Sequence, residues 1–189
     1  MRKETIERET KETTIKVSII LDGEGEADVE TGIRFFDHLL ESFAKHGKFD
    51  LMAKSKGDFE HHIAEDTMIA LGKALEKALG DKKGIRRMGD AIVPMDDSLA
   101  LVALDLGGRV YSEIGVDFRK EKLIDLNSDL FVHLLETFAS NSKCNLHVDI
   151  LRGVNDHHKA EAVFKGLGIA LSEAVSKKGD KVPSTKGVI

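Results

Sequence analysis

The chain contains an internal duplication, and this feature limits its fold more than any other. Residues 36–51 (FDHLLESFAKHGKFDL) align without a gap to residues 131–146 (FVHLLETFASNSKCNL), with nine identities in sixteen positions. Residues 57–79 align in the same way to residues 153–175, with ten identities in 23 positions. A repeat at about half the chain length indicates two copies of one unit rather than a solenoid. We therefore expect two similar half-domains.

Hydrophobic patterning predicts the same order of elements in both copies. Residues 14–21 alternate and predict a half-buried strand, whereas residues 98–106 are apolar on both faces and predict a buried one. A helix, a strand and a long helix follow in each copy, over about 35–46, 49–54 and 61–79, and over about 129–140, 145–150 and 157–177. Gly80 and Gly179 are placed to end the long helices. The order predicts an α+β fold of two-layer half-domains, with sheets packed on helices and a pseudo-twofold axis.

Composition narrows the class of protein. The 189 residues are 41% hydrophobic and 32% charged, which is typical of a globular chain with a real core. A net charge of −5 argues against a nucleic-acid surface, which needs clustered basic residues. A single cysteine, Cys144, excludes an intramolecular disulfide. A polar N-terminus and the lack of an apolar run of ~20 residues predict a cytoplasmic protein that does not enter membranes.

Six of the eight histidines and two glutamates occupy equivalent positions in the two copies. They are His38, His61, His62 and Glu65 in the first copy, and His133, His157, His158 and Glu161 in the second. Three imidazoles and one carboxylate form a good ligand set for Mn, Fe, Co, Ni or Zn. One His-His-x-x-Glu segment alone fits a solvated helix start, but its recurrence favours a duplicated metal site. Glu65 is close enough in sequence to share a helix face with either His61 or His62.

Helix geometry places His38 and His133 away from the apolar stripes of their own helices. At 100° per residue, His38 lies about 160–200° from the centre of the stripe formed by Phe36, Leu39, Leu40 and Phe43. His133 has the same relation to its own helix. A ligand on an outward face needs another chain to meet it, so we expect the metal sites to form between subunits.

Five segments in their order resemble imidazoleglycerol-phosphate dehydratase. They are GIRFFDHLLESFAKHGKFDL, HHIAEDTMIALGKAL, IRRMGDAIVPMDDSLALVALDLGGR, NDHHKAEAVFKGL and PSTKGVI. The resemblance begins at Arg8 and covers nearly the whole chain, with nothing left over for a phosphatase domain. It implies half-domains similar to the second domain of ribosomal protein S5. It also implies one dehydratase domain over 1–189, made of repeat 1 (about 8–82), repeat 2 (about 90–178) and a phosphate-binding tail (182–189).

The resemblance further implies a lyase of histidine biosynthesis that converts imidazole glycerol phosphate to imidazole acetol phosphate. Members of the family use two Mn²⁺ ions per active site and assemble from trimers into a 24-mer. The proton to be lost lies on a carbon without an adjacent carbonyl, so a simple carbanion is too costly. With both ring nitrogens bound to metal, the ring can act as an imidazolate and expel the hydroxyl group, and a carboxylate can then move the proton.

The resemblance also assigns individual residues. The six histidines and two glutamates named above are carried over as metal ligands, and Glu12 as the proton shuttle. The substrate contacts are Glu12, Arg87, Arg109, Lys165, Ser184 and Lys186. Each substrate contact has an ordinary alternative: Arg87 as part of a solvated loop, Arg109 as a surface charge, the tail as a frayed terminus, and Glu12 as the partner of a lysine. Asp97 stands where the family commonly has Glu, and Asp96 is expected to be structural. His46 is left out of the ligand set.

Two further hypotheses remain open at this stage. A dinuclear metallohydrolase would use the same ligands, but it gives no reason for the phosphate set together with Glu12. A non-catalytic module is the other alternative, because S5-like half-domains also occur in RNA-binding proteins. The net negative charge and the outward histidines argue against that module.

Overall fold

The computed structural model describes residues 1–187, and its helices and strands fall into two matching series. The first is β1 (Lys3–Glu9), β2 (Thr13–Ile20), β3 (Ala27–Glu30), α1 (Arg34–Gly47), β4 (Asp50–Gly57) and α2 (Glu60–Leu79). The second is β5 (Met88–Met95), β6 (Ser98–Asp105), β7 (Tyr111–Gly115), β8 (Lys122–Leu123), β9 (Leu126–Asn127), α3 (Ser128–Ser142), β10 (Asn145–Arg152) and α4 (Asp156–Val175). Within residues 1–187, only the β8–β9 hairpin has no counterpart in the other series. The last two positions of the predicted 182–189 tail lie outside the described residues.

Each series forms one four-stranded sheet, and the two sheets have the same topology. Their strand orders are β1-β2-β4-β3 and β5-β6-β10-β7. In both sheets the first three strands are antiparallel and the last strand pairs parallel to its neighbour. The predicted α+β class and the duplication are therefore confirmed.

The helices join the two repeats because they pair across them. In the first sheet α2 packs on β1 and β2, and in the second α4 packs on β5 and β6. The shorter helices cross over, so that α1 packs against α4 and α3 against α2. The repeat-equivalent side chains Phe43 and Phe138 meet where the repeats join, with ring centroids 6.5 Å apart. The buried apolar side chains of both repeats form one continuous cluster.

Two equivalent glycines allow the crossed helix pairs to approach closely. A Cβ atom on Gly168 of α4 would overlap the Phe43 carbonyl oxygen of α1. Gly72 of α2 has the same relation to the Phe138 carbonyl oxygen of α3, where a Cβ would lie at 3.0 Å. Because the paired helices lie so close, side chains in the first two turns of one helix contact side chains in the first two turns of its partner.

Three expectations need correction. The backbone of α4 ends at Val175 and is capped by Ser176, so Gly179 does not end this helix, whereas Gly80 does end α2. The strand β6 is buried on one face only, because helices cover a single face of each sheet and leave Leu99, Leu101 and Ala103 half-buried. Patterning missed β1, β3, β5 and β7; in β1 the polar sequence KETIERE suits an edge strand with no fully buried face.

Within residues 1–187, no helix is long and apolar enough to cross a membrane.

The segment 116–127, which includes the β8–β9 hairpin, is inserted before α3 and held down by two aspartates. Asp125 accepts hydrogen bonds from the backbone N–H groups of Arg34 and Phe35 at 2.8 and 2.9 Å, at the start of α1. Asp156 accepts the N–H groups of Arg119 and Lys120, both at 3.0 Å. The first repeat has only residues 31–33 at this place, so the insertion makes the two halves different.

We expect Asp156→Ala to lower the free energy of unfolding by about 3–5 kcal/mol, because it leaves the buried Lys159 ammonium without its counter-charge. The Lys159 Nζ lies 3.0 Å from the Asp156 carboxylate, and the side chains are 6% and 3% exposed. Thermal unfolding should show the loss, and the exposed aspartate variant Asp149→Ala should unfold like the unmodified protein. An Asp156→Ala transition equal to that of the control would contradict the prediction.

The same ion pair makes stability depend on pH. Burial raises the pKa of Asp156, but Lys159 and the two amides outweigh it, so the folded-state pKa lies below the ordinary value. The contribution is therefore complete above the unfolded pKa of about 3.9 and is lost as pH falls through the folded pKa.

Candidate metal centre

The first candidate metal cluster consists of His38 on α1 with His157 and Glu161 on α4. The Glu161 carboxylate lies 3.1 Å from His157 Nε2 and 3.4 Å from His38 Nε2. One ligand atom from each of the three side chains lies within 4.8 Å of the others. The rings of His38 and His157 stack with centroids 5.9 Å apart, which points both Nε2 atoms to the same carboxylate.

The second cluster is the repeat-equivalent set, His133 on α3 with His61 and Glu65 on α2. The Glu65 carboxylate lies 3.1 Å from His133 Nε2 and 3.6 Å from His61 Nε2. The three ligand atoms again lie within 4.8 Å of one another. Each cluster thus takes a histidine and a glutamate one helical turn apart from one repeat, and a single histidine from the other repeat.

His38 and His133 each meet a glutamate of the same chain, although a ligand on an outward face was expected to need another chain; whether the complete metal sites form between subunits stays a prediction. Both face away from the cores under their own helices, as predicted, with side chains 44% and 41% exposed. Their neighbours belong to the other repeat of the same chain. Sequence geometry describes one helix at a time and cannot reveal that α1 lies beside α4.

The second histidine of each pair belongs to neither cluster. The spacing alone allowed Glu65 to share a helix face with either His61 or His62. His62 Nδ1 lies 2.8 Å from Asp58 Oδ1 and 3.8 Å from Glu12 Oε2. His158 Nδ1 lies 2.7 Å from Asp97 Oδ1, and its Nε2 lies 3.4 Å from Asp96. Glu65 and Glu161 therefore pair with the first histidine of each segment.

The two clusters differ in charge because only one contains a lysine. Lys165 Nζ lies 2.7 Å from Glu161, whereas the equivalent position in the first repeat is Ile69. Burial raises the pKa of Glu161, but Lys165 and His38 outweigh burial and hold it below its ordinary value. Glu161 is therefore ionised at neutral pH and available to a cation. Burial, and then the charge of Lys165, lower the pKa of the neighbouring His46, which joins neither cluster.

The donor sets fit a divalent transition metal. Two imidazole nitrogens and one carboxylate are ligands suited to Mn, Fe, Co, Ni or Zn, and three ligands leave positions open for a further ligand or a substrate. Both clusters are partly accessible, and Arg34, Phe35 and Ile124 line a pocket of about 530 Å³ around the first.

Of the four predicted phosphate contacts, Arg87 lies against the tail that carries Ser184 and Lys186, at a different place from the clusters. The Arg87 guanidinium forms two hydrogen bonds to Asp105, at 2.6 and 2.9 Å, and a third to the Pro183 carbonyl at 3.1 Å. Pro183 precedes Ser184, whose hydroxyl accepts the N–H of Lys186 at 3.2 Å. The Leu106 N–H bonds the Arg87 carbonyl oxygen and so brings the turn with the exposed Arg109 close to Arg87.

This group is separated from the first cluster by the length of α4. Arg87 N–H bonds the carbonyl of Ala174 in the last turn of α4, whereas His157 lies in the first turn. Seventeen residues at 1.5 Å each separate these positions by about 25 Å. Of the predicted substrate contacts, Lys165 lies at the first cluster and Glu12 beside His62 instead.

Sequence reasoning missed the partners of these side chains. Asp58 lies four residues before His62, so helical spacing could have indicated it. Asp97 lies 61 residues before His158, and Asp105 lies 18 residues after Arg87. No local pattern connects either pair. The packing of α4 on β5 and β6 brings His158 to Asp97, and the pairing of β5 with β6 brings Arg87 to Asp105.

A duplicated α+β fold that pairs two His-His-Glu clusters across its repeats defines a candidate dinuclear metalloenzyme. A family model described as imidazoleglycerol-phosphate dehydratase matches residues 31–171, and the chain belongs to this family. The dehydratase of Dehalococcoides mccartyi is 53% identical and that of Methanococcoides burtonii 50%, each aligned over all of this chain and 97% and 100% of the relative. As a member of a dehydratase family, the chain is a carbon–oxygen lyase.

Solved structures of the family have the same fold. The dehydratase of Staphylococcus aureus subsp. aureus superposes with a TM-score of 0.85 at 31% identity, over 93% of this chain and 99% of that one. The Pyrococcus furiosus protein superposes with a TM-score of 0.86 at 36% identity, over 97% and 100% of the two chains.

Proposed function

We propose that the chain dehydrates imidazole glycerol phosphate to imidazole acetol phosphate in histidine biosynthesis, with two Mn²⁺ ions per active site. The observation that supports this most strongly is the pair of repeat-equivalent clusters, each of two histidines and one glutamate within 4.8 Å. An imidazole ring has two nitrogens, and two equivalent clusters offer one metal position for each. The family supplies the substrate.

His38, His157 and Glu161 would hold one ion, and His61, Glu65 and His133 the other. When bound, the ions would supply Lewis acidity toward the imidazole ring of the substrate. Lys165 keeps Glu161 ionised, and the crossed packing of α1 on α4 and of α3 on α2 sets the distances between the ligands.

Glu12 is the group we propose for moving the carbon-bound proton. Its carboxylate lies 3.8 Å from His62 Nδ1, beyond hydrogen-bond distance, and its side chain is 58% exposed. An accessible carboxylate on the turn between β1 and β2 is free to reach a substrate that binds at the neighbouring histidine. Positioned carboxylates serve as general bases in this way.

Arg87, Arg109, Ser184 and Lys186 are proposed to hold the phosphate. Arginine suits this role because its planar fork contacts two phosphate oxygens at once. Asp105 and Pro183 orient the Arg87 guanidinium, while Arg109 is exposed. The backbone of Arg87 lies about 25 Å along α4 from His157, which is much more than a three-carbon phosphate ester can span. We therefore propose that the phosphate site of one chain serves the metal cluster of another.

A shared site also accounts for the unused histidines. The Nδ1 atoms of His62 and His158 are engaged by carboxylates, and their rings lie outside the clusters. We propose that their Nε2 atoms complete clusters on neighbouring chains, with the exposed Asp96 carboxylate 3.4 Å from Nε2 of His158. We propose a homo-oligomer, a 24-mer built from trimers, with active sites between subunits. The cytoplasmic location remains a prediction from the sequence.

The function is tested by incubating Mn²⁺-loaded protein with imidazole glycerol phosphate and measuring the ketone product in alkali. We expect ketone formation that stops after removal of metal with a chelator. Release of inorganic phosphate instead would indicate the metallohydrolase, and loaded protein that forms no ketone would exclude the proposal.

Arg109→Ala is expected to raise KM by about 10- to 100-fold with little change in kcat, because a charge-assisted phosphate contact contributes about 1.5–3 kcal/mol in ground and transition states alike. Steady-state kinetics measures both constants. Arg152→Ala, an exposed arginine elsewhere in the second sheet, is the control. A fall in kcat with unchanged KM would assign Arg109 to the chemical step.

The shared site is tested by co-expressing Arg109→Ala with Glu161→Gln. In mixed particles each contributing chain has an even chance of carrying the intact group, so about a quarter of the sites regain both. Activity at low substrate concentration should exceed that of either variant alone. A mixture that only averages the two variants would place both groups on one chain.

A further inference from the structure

The duplication provides two carboxylates at matching places. Glu12 precedes β2 and Asp97 precedes β6, the second strands of their sheets. The places are equivalent, because Thr13 and Ser98, the next residues, lie against Gly57 and Gly153, which occupy the same position in the repeats. Each carboxylate faces the Nδ1 atom of the second histidine in its repeat, Glu12 at 3.8 Å and Asp97 at 2.7 Å.

Only Asp97 is held in place. Its Oδ2 atom accepts hydrogen bonds from the N–H groups of Val154 and Asn155 at 2.6 and 3.0 Å, and its Oδ1 atom contacts His158. Within residues 1–187, the carboxylate of Glu12 has no such hydrogen bonds and its nearest charged neighbour is His62. Equivalent positions therefore carry one fixed and one free carboxylate.

In the first repeat Asp58, and not Glu12, holds the second histidine in the way that Asp97 holds His158 in the second repeat. Asp58 Oδ1 accepts the Phe59 N–H at 2.8 Å and lies 2.8 Å from His62 Nδ1. The residue equivalent to Asp58 is Val154, whose side chain has no carboxylate to contact a histidine. The two repeats thus hold their second histidine with a carboxylate from different elements, and this leaves Glu12 free.

A carboxylate at Nδ1 determines which nitrogen can bind a metal. An ionised carboxylate only accepts hydrogen bonds, so a neutral His62 or His158 places its hydrogen on Nδ1 and presents a lone pair at Nε2. In His158 the Asp97 contact to Nδ1, at 2.7 Å, is shorter than the Asp96 contact to Nε2, at 3.4 Å. Histidine ligands commonly donate their other N–H to a carboxylate, which sets the ring orientation and increases ligand basicity.

We propose that Asp97 and Asp58 are positioning residues that orient His158 and His62, respectively, as metal ligands, while the equivalent Glu12 stays free for the reaction. This inference rests on the proposed metal dependence, and not on the identity of the substrate.

The test is a Mn²⁺ binding curve, measured as bound metal per chain against free Mn²⁺ after equilibrium dialysis of the metal-free assembly. Asp97→Asn should leave about half of the Mn²⁺ at the original affinity and weaken the other half about 10- to 100-fold. Asp58→Asn should lower the Mn²⁺ affinity of the other half of the sites. The double variant should lower the affinity of all the sites. The exposed aspartate variant Asp149→Asn, on the neighbouring strand β10, should leave the curve unchanged.

A purely structural role is distinguished by a background variant. In His158→Ala protein, Asp97→Asn should cause no further loss of Mn²⁺ affinity, because it acts through the histidine that is already absent. The proposal is overturned if Asp97→Asn binds Mn²⁺ like the unmodified protein, or if it weakens binding equally in both backgrounds. Unmodified protein that binds Mn²⁺ but forms no ketone would refute the proposed reaction and leave this inference intact.

Discussion

The Glu161→Gln variant is expected to bind about half the normal Mn²⁺ and to lose two to three orders of magnitude in kcat. Glu161 is the residue shared by both histidines of the first cluster, at 3.1 and 3.4 Å, and it is only 8% exposed. A neutral amide is a poor ligand for a divalent ion, and it leaves Lys165 without its counter-charge. A bound Lewis acid contributes on the order of 3–4 kcal/mol, and each 1.4 kcal/mol is a factor of ten in rate.

Glu65→Gln is the matched variant of the other cluster and should lose the other half of the metal. Both variants should also form smaller particles, because an incomplete cluster cannot bind the histidine of a neighbouring chain. Glu76→Gln, which removes only a surface ion pair with Lys143, should keep metal, particle size and activity. Normal metal content and full-size particles in either cluster variant would contradict sites shared between subunits.

The Glu12→Gln variant is expected to lower kcat by about 10²- to 10⁴-fold while Mn²⁺ content and KM stay close to normal. The side chain lies outside both clusters, so metal binding does not depend on it. The amide keeps the size of the side chain but cannot accept the proton. Metal content, particle size and steady-state kinetics, measured on one preparation, separate these effects.

Glu9→Gln is the control for this change, since Glu9 is an exposed carboxylate on the same β1–β2 hairpin. It should keep full activity. A Glu12→Gln enzyme with normal kcat would remove Glu12 from the chemical step, and one that loses metal would make Glu12 a ligand instead.

Much of the fold could be predicted because apolar periodicity is a local property. Helices α1 to α4 and strands β2, β4, β6 and β10 lie close to their predicted positions, since each has a face buried against the core. The polar strand β1 and the short strands β3 and β7 were missed because edge strands need no continuous apolar face. Gly179 was misassigned because Ser176 already ends α4.

For the candidate site, the duplicated sequence by itself determined the eight candidate ligands: His38, His61, His62, Glu65, His133, His157, His158 and Glu161 follow from comparing one half of the chain with the other. Only the tertiary structure decided how they combine. The crossing of α1 on α4 and of α3 on α2 gives each Glu a histidine from the other repeat, which one-helix geometry assigned to another chain. The packing of α4 on the second sheet then placed His158 against Asp97, and the register of β5 with β6 placed Arg87 against Asp105. Spacing along a chain fixes which side chains share an element, whereas packing decides which elements meet.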